Sequence, residues 1–222
     1  MDNSKFNLKA LSTKVRGLNS QKKRCSIFNW LRQKNANIVF LQETYSTQAV
    51  ENIWRNEWGG DIIMAHGTNH SKGVAILVKN NFDMEVKRTY TSENGRIIII
   101  KVLIQDAIFY LIYIHASTTE NSQVQFFQDL IHQIDNFGIE PTDKLLICGD
   151  FNVVMDPFID KKGGSTLTKE KSVEKINELM SLYDLHDTWR LKNPNLGRFT
   201  WRGGKPLIQC RLDFWLIPDE LC

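Results

Sequence analysis

The run Ile97 Ile98 Ile99 Ile100 places apolar side chains on both sides of an extended backbone at once, and that restricts the folds open to this chain. Successive residues of a strand point to opposite faces, so four consecutive isoleucines require burial on both, which an ordinary sheet with one wet face does not provide. The greasy stretch from Ile97 to Ala116 is broken by Lys101 and by Gln105 Asp106, a pattern that fits two strands joined by a hairpin turn. At 222 residues and 42% hydrophobic content the chain can support a sizeable core, and one domain spanning 1–222 is expected.

Around the hairpin, strands and helices alternate. Leu8 to Val15 reads as a strand, and Asn19 or Ser20 can cap a helix reaching about Lys34, with Ile27, Phe28 and Leu31 as its apolar stripe. Ile38 to Gln42 is a strand, Thr47 to Trp58 a helix, and Ile62 to Ala65, Val74 to Val78 and Phe82 to Thr91 further strands. Gln123 to Phe137 reads as a helix with Phe126, Phe127, Leu130, Ile131 and Ile134 on one side, followed by a buried strand from Leu145 to Gly149. Beyond it the reading is a long loop from Asn152 to Thr168, an amphipathic helix from Lys169 to Tyr183, and short strands at Phe199 Thr200 Trp201 and Leu212 to Ile217. Doubly buried strands mixed with one-sided helices suggest two packed sheets with helices outside.

Charge decides little, because a net charge of +3 neither demands nor excludes a nucleic-acid partner. Cys25, Cys148, Cys210 and Cys222 are far apart and form no CxxC pair, which argues against a zinc site and a disulfide scaffold and makes reduced, intracellular thiols the default. No apolar leader or membrane-length span is present, so a soluble protein is expected.

The chemistry concentrates at strand ends. Asp150 and Asn152, in Gly149 Asp150 Phe151 Asn152, are two residues apart and can face one reacting group beyond the strand, although Asp and Asn after a strand commonly form a simple turn. Glu43 ends the apolar run from Ile38 to Leu41, and Asp213 sits inside Leu212 Asp213 Phe214 Trp215 Leu216. Three such acids suggest a hard metal ion: magnesium, or manganese in its place, takes oxygen ligands, often one or two carboxylates, and keeps waters that a substrate phosphate can displace. Each acid also has an ordinary explanation as a cap or ion pair, with Arg211 a candidate partner for Asp213.

Five motifs occur in order: Val15 Arg16 Gly17 Leu18 Asn19, Leu41 Gln42 Glu43 Thr44, Gly73 Val74 Ala75 Ile76 Leu77, Gly149 Asp150 Phe151 Asn152, and Arg211 Leu212 Asp213 Phe214. Together they resemble the endonuclease domain of LINE-type non-LTR retrotransposons, within the endonuclease/exonuclease/phosphatase superfamily that includes deoxyribonuclease I and apurinic endonucleases. The resemblance runs nearly end to end. It implies an α/β four-layer sandwich of two packed mixed sheets flanked by helices, as in deoxyribonuclease I. It further implies that Glu43 holds a divalent ion that polarises the scissile phosphate, and that Asp150 positions or activates the attacking water. Asn152 would hold the water or phosphate, and Asp213 would match the acid that orients a histidine near the end of the family's domain. The implied reaction is a nick in double-stranded DNA whose 3′ hydroxyl primes reverse transcription, with a reverse transcriptase domain downstream in the same polypeptide.

Departures from the family pattern shape the expectation. The family's Ser Asp His element is absent from the nine residues after Asp213, so a C-terminally truncated domain lacking its last strand, weak or inactive alone, is expected. Lys14 stands where the family usually has an asparagine near the metal, and it can compete with the ion, pair with Glu43 or a phosphate, or point to solvent. His115 replaces a usual tyrosine and can bond a phosphate oxygen or simply cap a buried strand. The resemblance places Lys161, Thr200, Arg202 and Lys205 near DNA, where solvated lysines are the ordinary alternative. Two other readings stay open: an apurinic endonuclease or other phosphodiesterase of the superfamily, and a degenerate noncatalytic copy that binds nucleic acid.

Overall fold

A computed structural model describes residues 8–165 and 168–221 of the chain. It divides into two compact units, one of Met1–Met84 with Thr91–Ile98, the other of Glu85–Tyr90 with Ile99–Cys222. In the first, β1 (Ala10–Lys14), α1 (Gln21–Lys34), β2 (Ile38–Gln42), α2 (Glu51–Trp58), β3 (Ile62–Ala65) and β4 (Val74–Val78) form a four-stranded mixed sheet in the order β1-β2-β4-β3, with two helices. Ser20 caps α1 by accepting from the Lys23 amide, as its position before the apolar stripe predicts. Alternate residues of the sheet, Val39, Leu41, Ala75 and Leu77, join Phe28 and Leu31 of α1 and Trp54 and Trp58 of α2 in one core cluster. Their neighbours Ile38, Phe40, Ile76 and Val78 are buried as well, so both faces of β2 and β4 are apolar.

The second unit contains most of a six-stranded sheet built from β5 (Met84–Thr91), β6 (Ile97–Ile104), β7 (Ala107–His115), β8 (Leu145–Asp150), β10 (Leu185–Asp187) and β13 (Asp213–Pro218), in the order β10-β13-β8-β7-β6-β5. The isoleucines of β6 are 0–4% exposed, as their lack of alternation requires. β7 and β8 run parallel, connected through α3 (Glu120–Asn136), whereas β13 returns antiparallel to β8. A buried aromatic file, Phe126 and Phe127 of α3 with Phe151 and Phe214, packs the helix onto one face of the sheet. α4 (Glu170–Leu182) lies against α3, tied by Ser172 Oγ donating to Gln123 Oε1 at 3.0 Å and by Tyr183 Oη donating to Asp135 at 2.6 Å.

Several short elements differ from the sequence reading. The expected loop from Asn152 to Thr168 contains β9 (Lys161–Lys162), which pairs with β12 (Ile208–Cys210), and β12 pairs with β11 (Trp201–Gly203) in a small separate sheet. β10 and α5 (Thr188–Lys192) also lie where no element is expected. Thr200, expected inside a strand, precedes β11, and Arg211 is bound not as a partner of Asp213 but to Asp160 and Asp187.

Candidate active site

In the first unit the Glu43 turn is locked from two sides. Glu43 has a φ of 55°, its carbonyl accepts from the Gly17 amide at 2.6 Å, and the Thr44 carbonyl accepts from Leu18 at 2.9 Å. The Thr44 and Tyr45 amides donate to the carbonyls of Gly73 and Lys72, each at 3.0 Å. Gly73 has a φ of 82°, and a Cβ there would lie 2.4 Å from Thr44 Oγ1, which explains why a glycine begins this motif. Three of the five sequence motifs thus hold a single carboxylate-bearing turn.

Lys14 is paired with Glu43. Its Nζ lies 3.1 Å from Oε1, and the two side chains are 27% and 21% exposed. The register explains the pairing: Lys14 is opposite Gln42 across parallel β1 and β2, and Glu43 follows directly. Behind the turn, Thr44 and Ser46 hydroxyls share a hydrogen bond of 3.1 Å, and Ser46 Oγ is 3.2 Å from Nδ1 of His66, whose Nε2 is 3.7 Å from Glu51. Sequence reasoning missed this polar chain because its members come from separate elements. For a divalent ion the donor set is a poor fit. Among the described residues no three His, Cys, Asp or Glu side chains gather into a metal-holding group, and the one carboxylate expected to serve already faces an ammonium.

In the second unit the strand register brings His115, Asp150 and Asp213 into one row. His115 of β7 and Asp213 of β13 are the Cα partners of Asp150 on either side of β8. Residues paired across strands present their side chains to the same face, so the three groups stand beside each other on the face opposite the Phe151 and Phe214 packing. Asp150 and His115 are buried, and Asp213 is half-buried. One layer below, the Cys148 thiol is pushed well up by burial and by the charge of Asp213, which keeps it protonated and unreactive.

The turn after Asp150 is over-determined. Asp150 Oδ1 accepts from the Asn152 amide at 2.9 Å, and Asn152, with a φ of 53°, donates Nδ2 to the Ala116 carbonyl at 2.9 Å. The Asn152 carbonyl accepts from both Gln123 Nε2 at 2.8 Å and Lys169 Nζ at 2.9 Å, and Lys169 donates also to Thr118 at 2.6 Å. Partial burial lowers the Lys169 pKa, opposed by the nearby charges of Glu120 and Asp150. Gln123 and Lys169 went unrecognised in the sequence, since a lone glutamine or lysine on a helix has no local signature.

The residues expected near DNA divide into two groups. Arg202 and Lys205 are exposed on the β11–β12 hairpin. Lys161 instead donates its ammonium to the Ser165 carbonyl, and Thr200 Oγ1 accepts from the amides of Leu212 and Asp213 at 3.0 and 3.2 Å, fixing the start of β13. Beneath them the fully buried Asp160 receives Arg211 through Nε at 2.7 Å and Nη2 at 2.9 Å, and Arg190 at 2.5 Å. Arg211 Nη1 also lies 2.6 Å from Asp187.

Comparison with known proteins gives this geometry a context. The chain is 30% identical over 201 residues to the transposon TX1 uncharacterized 149 kDa protein of Xenopus laevis, an alignment covering 88% of this chain and 15% of that protein. It superposes on an AP endonuclease of Leishmania major with a TM-score of 0.77 at 14% identity, covering 100% of this chain and 83% of the other. On an AP endonuclease of Archaeoglobus fulgidus the TM-score is 0.73 at 20% identity, covering 97% and 88%. These likenesses show a shared α/β fold. The motifs that hold the Glu43 turn and the strands that align His115, Asp150 and Asp213 all fall within residues 6–221, the span that matches the Endonuclease/Exonuclease/phosphatase family, and to that family the chain belongs.

Proposed function

We propose that this chain hydrolyses a phosphodiester bond in duplex DNA, as the nuclease portion of a longer transposon polypeptide that also contains a reverse transcriptase. The observation that supports the chemistry is the row formed by His115, Asp150 and Asp213 on one sheet face. Asp150, fixed by the Asn152 amide, takes the proton of the attacking water. The water oxygen bonds to phosphorus as the bond to the 3′ oxygen breaks, and solvent protonates the departing oxygen, leaving a nick with a 3′ hydroxyl. His115 hydrogen-bonds a phosphate oxygen, Asn152 orients the water through its side-chain amide, and Asp213 stands beside Asp150 as the second acid of the row. Glu43 is the residue expected to hold magnesium or manganese, but its ion pair with Lys14 disagrees with that assignment as it stands, so no step is drawn through a metal. Support for the transposon setting is the similarity to the Xenopus laevis protein, of which this chain spans about 15%.

The experiment is nicking of supercoiled plasmid by the chain and by Asp150→Ala. Magnesium-dependent nicking lowered at least about a hundredfold in the variant supports the reading, on the usual scale of general acid–base contributions. Equal nicking by both sinks it. A second reading, a noncatalytic copy that binds nucleic acid, is favoured by the Lys14–Glu43 pair, and it predicts duplex binding with no nicking by either protein.

A further inference from the structure

The Lys14–Glu43 pair is built, not incidental. Glu43 cannot drift from its place, because its carbonyl and those of Thr44 and Gly73 are all engaged in the turn. Lys14 closes β1 directly beside it, in a register fixed by five consecutive residue pairs with β2. Both side chains are about three-quarters removed from solvent, at 27% and 21% exposure, where water screens charge less than at an open surface. An ammonium 3.1 Å from the carboxylate satisfies one oxygen and offsets the negative charge that would attract a divalent cation. A magnesium or manganese ion approaching Glu43 must displace that ammonium and then tolerate a like charge on the neighbouring strand.

We propose that Lys14 is the resident counter-ion of Glu43 and weakens divalent-ion binding there by at least about tenfold relative to the same chain with an uncharged side chain at position 14. The proposal rests on the reading of Glu43 as the metal-holding residue and adds that this chain restrains its own metal site. Such a chain would require more metal than one with an asparagine at this position. The lysine stem is long and flexible, so the restraint is reversible: the ammonium can move to another anion and leave Glu43 open.

The test is direct binding of Mn²⁺ to the 222-residue chain, read from the electron paramagnetic resonance signal of the free ion and independent of any nuclease activity. Wild type, Glu43→Gln, Lys14→Asn, Lys14→Met, Lys14→Arg and the double variant Lys14→Asn with Glu43→Gln are compared, with circular dichroism confirming that each is folded. Lys14→Asn and Lys14→Met should bind Mn²⁺ at least about tenfold more tightly than wild type, Lys14→Arg should remain weak, and the double variant should lose the gain. Wild-type binding as tight as in Lys14→Met, and sensitive to Glu43→Gln, would overturn the proposal while leaving Glu43 a metal ligand. A gain in Lys14→Asn alone would overturn it too, by showing that the new amide is itself a ligand. Absence of Glu43-dependent binding in every variant would overturn both the proposal and the reading beneath it.

Discussion

At the scale of single residues, the strongest constraint on the second unit's site is the glycine that precedes Asp150. Gly149 has a φ of 138°, and a Cβ there would stand 2.0 Å from the Ile114 carbonyl oxygen and 2.9 Å from its carbon. Ile114 is the β7 partner of Gly149, next to the His115–Asp150 pair, so the side chain of an alanine would force the two strands apart where the row of His115, Asp150 and Asp213 is set. Gly149→Ala should therefore destabilise the chain by about 3 kcal/mol or more, combining backbone strain with overpacking against a rigid main chain. Equilibrium urea unfolding measures this, and a midpoint equal to that of wild type would refute the steric account. The glycine of the Gly Asp Phe Asn motif is thus required by the approach of two strands, and the carboxylate beside it is required by the proposed chemistry.

At the scale of elements, the short strands of the last third are tied together by a buried charge cluster. Asp160 joins the end of the loop after β8 to Arg211 before β13 and to Arg190 in α5, and the Arg211 amide returns to the Asp160 carbonyl at 2.8 Å. Asp160→Ala leaves a buried guanidinium with Asp187 as its remaining carboxylate and should cost about 3–5 kcal/mol. The double change Asp160→Leu with Arg211→Met should cost less than the single one, because it removes both buried charges; thermal unfolding of the two variants checks the order. α3 and α4 are joined differently. Burial and the Asp135 carboxylate push the Tyr183 phenol up from its ordinary value, so the stabilisation it gives is complete below the unfolded pKa of about 10 and declines as pH rises above it. Tyr183→Phe should lose about 1 kcal/mol at neutral pH and flatten that alkaline decline, measurable as urea midpoints at pH 8 and about pH 11. These ties also explain what could be read from the sequence. β2, β3 and β4 match their expected bounds because continuous apolar runs define them. β9, β10 and β12 are two or three residues long and depend on partners such as Asp160 and Arg211, 51 positions apart, which no local window contains. The site followed the same rule. Asp150, Asn152 and Glu43 stand out at the ends of apolar runs and Asp213 inside one, whereas Gln123 and Lys169 meet the Asn152 carbonyl from 29 and 17 positions away.

At the scale of the whole molecule, a net charge of +3 on 222 residues gives little general attraction to DNA, so the proposed DNA binding requires a few placed cations. The structure separates those available from those committed. Arg202 and Lys205 are exposed on the β11–β12 hairpin, whereas the Lys161 ammonium is bonded to the Ser165 carbonyl. Each phosphate contact made by a lysine or arginine releases condensed counterions and contributes about 0.9 to the slope of log affinity against log salt. If the hairpin tracks the backbone of duplex DNA, Arg202→Ala with Lys205→Ala should lower that slope by about two, while Lys161→Ala leaves it nearly unchanged. Anisotropy of a labelled duplex across about 50 to 200 mM salt measures both. Running the titration on intact and abasic duplexes adds the substrate question, since the fold is shared with AP endonucleases and does not choose between them. The transposon reading expects the intact duplex to be bound and nicked as readily as the abasic one, and a strong preference for the abasic site would favour repair-type chemistry. An unchanged slope in the hairpin variant would remove this hairpin from the DNA interface whichever substrate prevails.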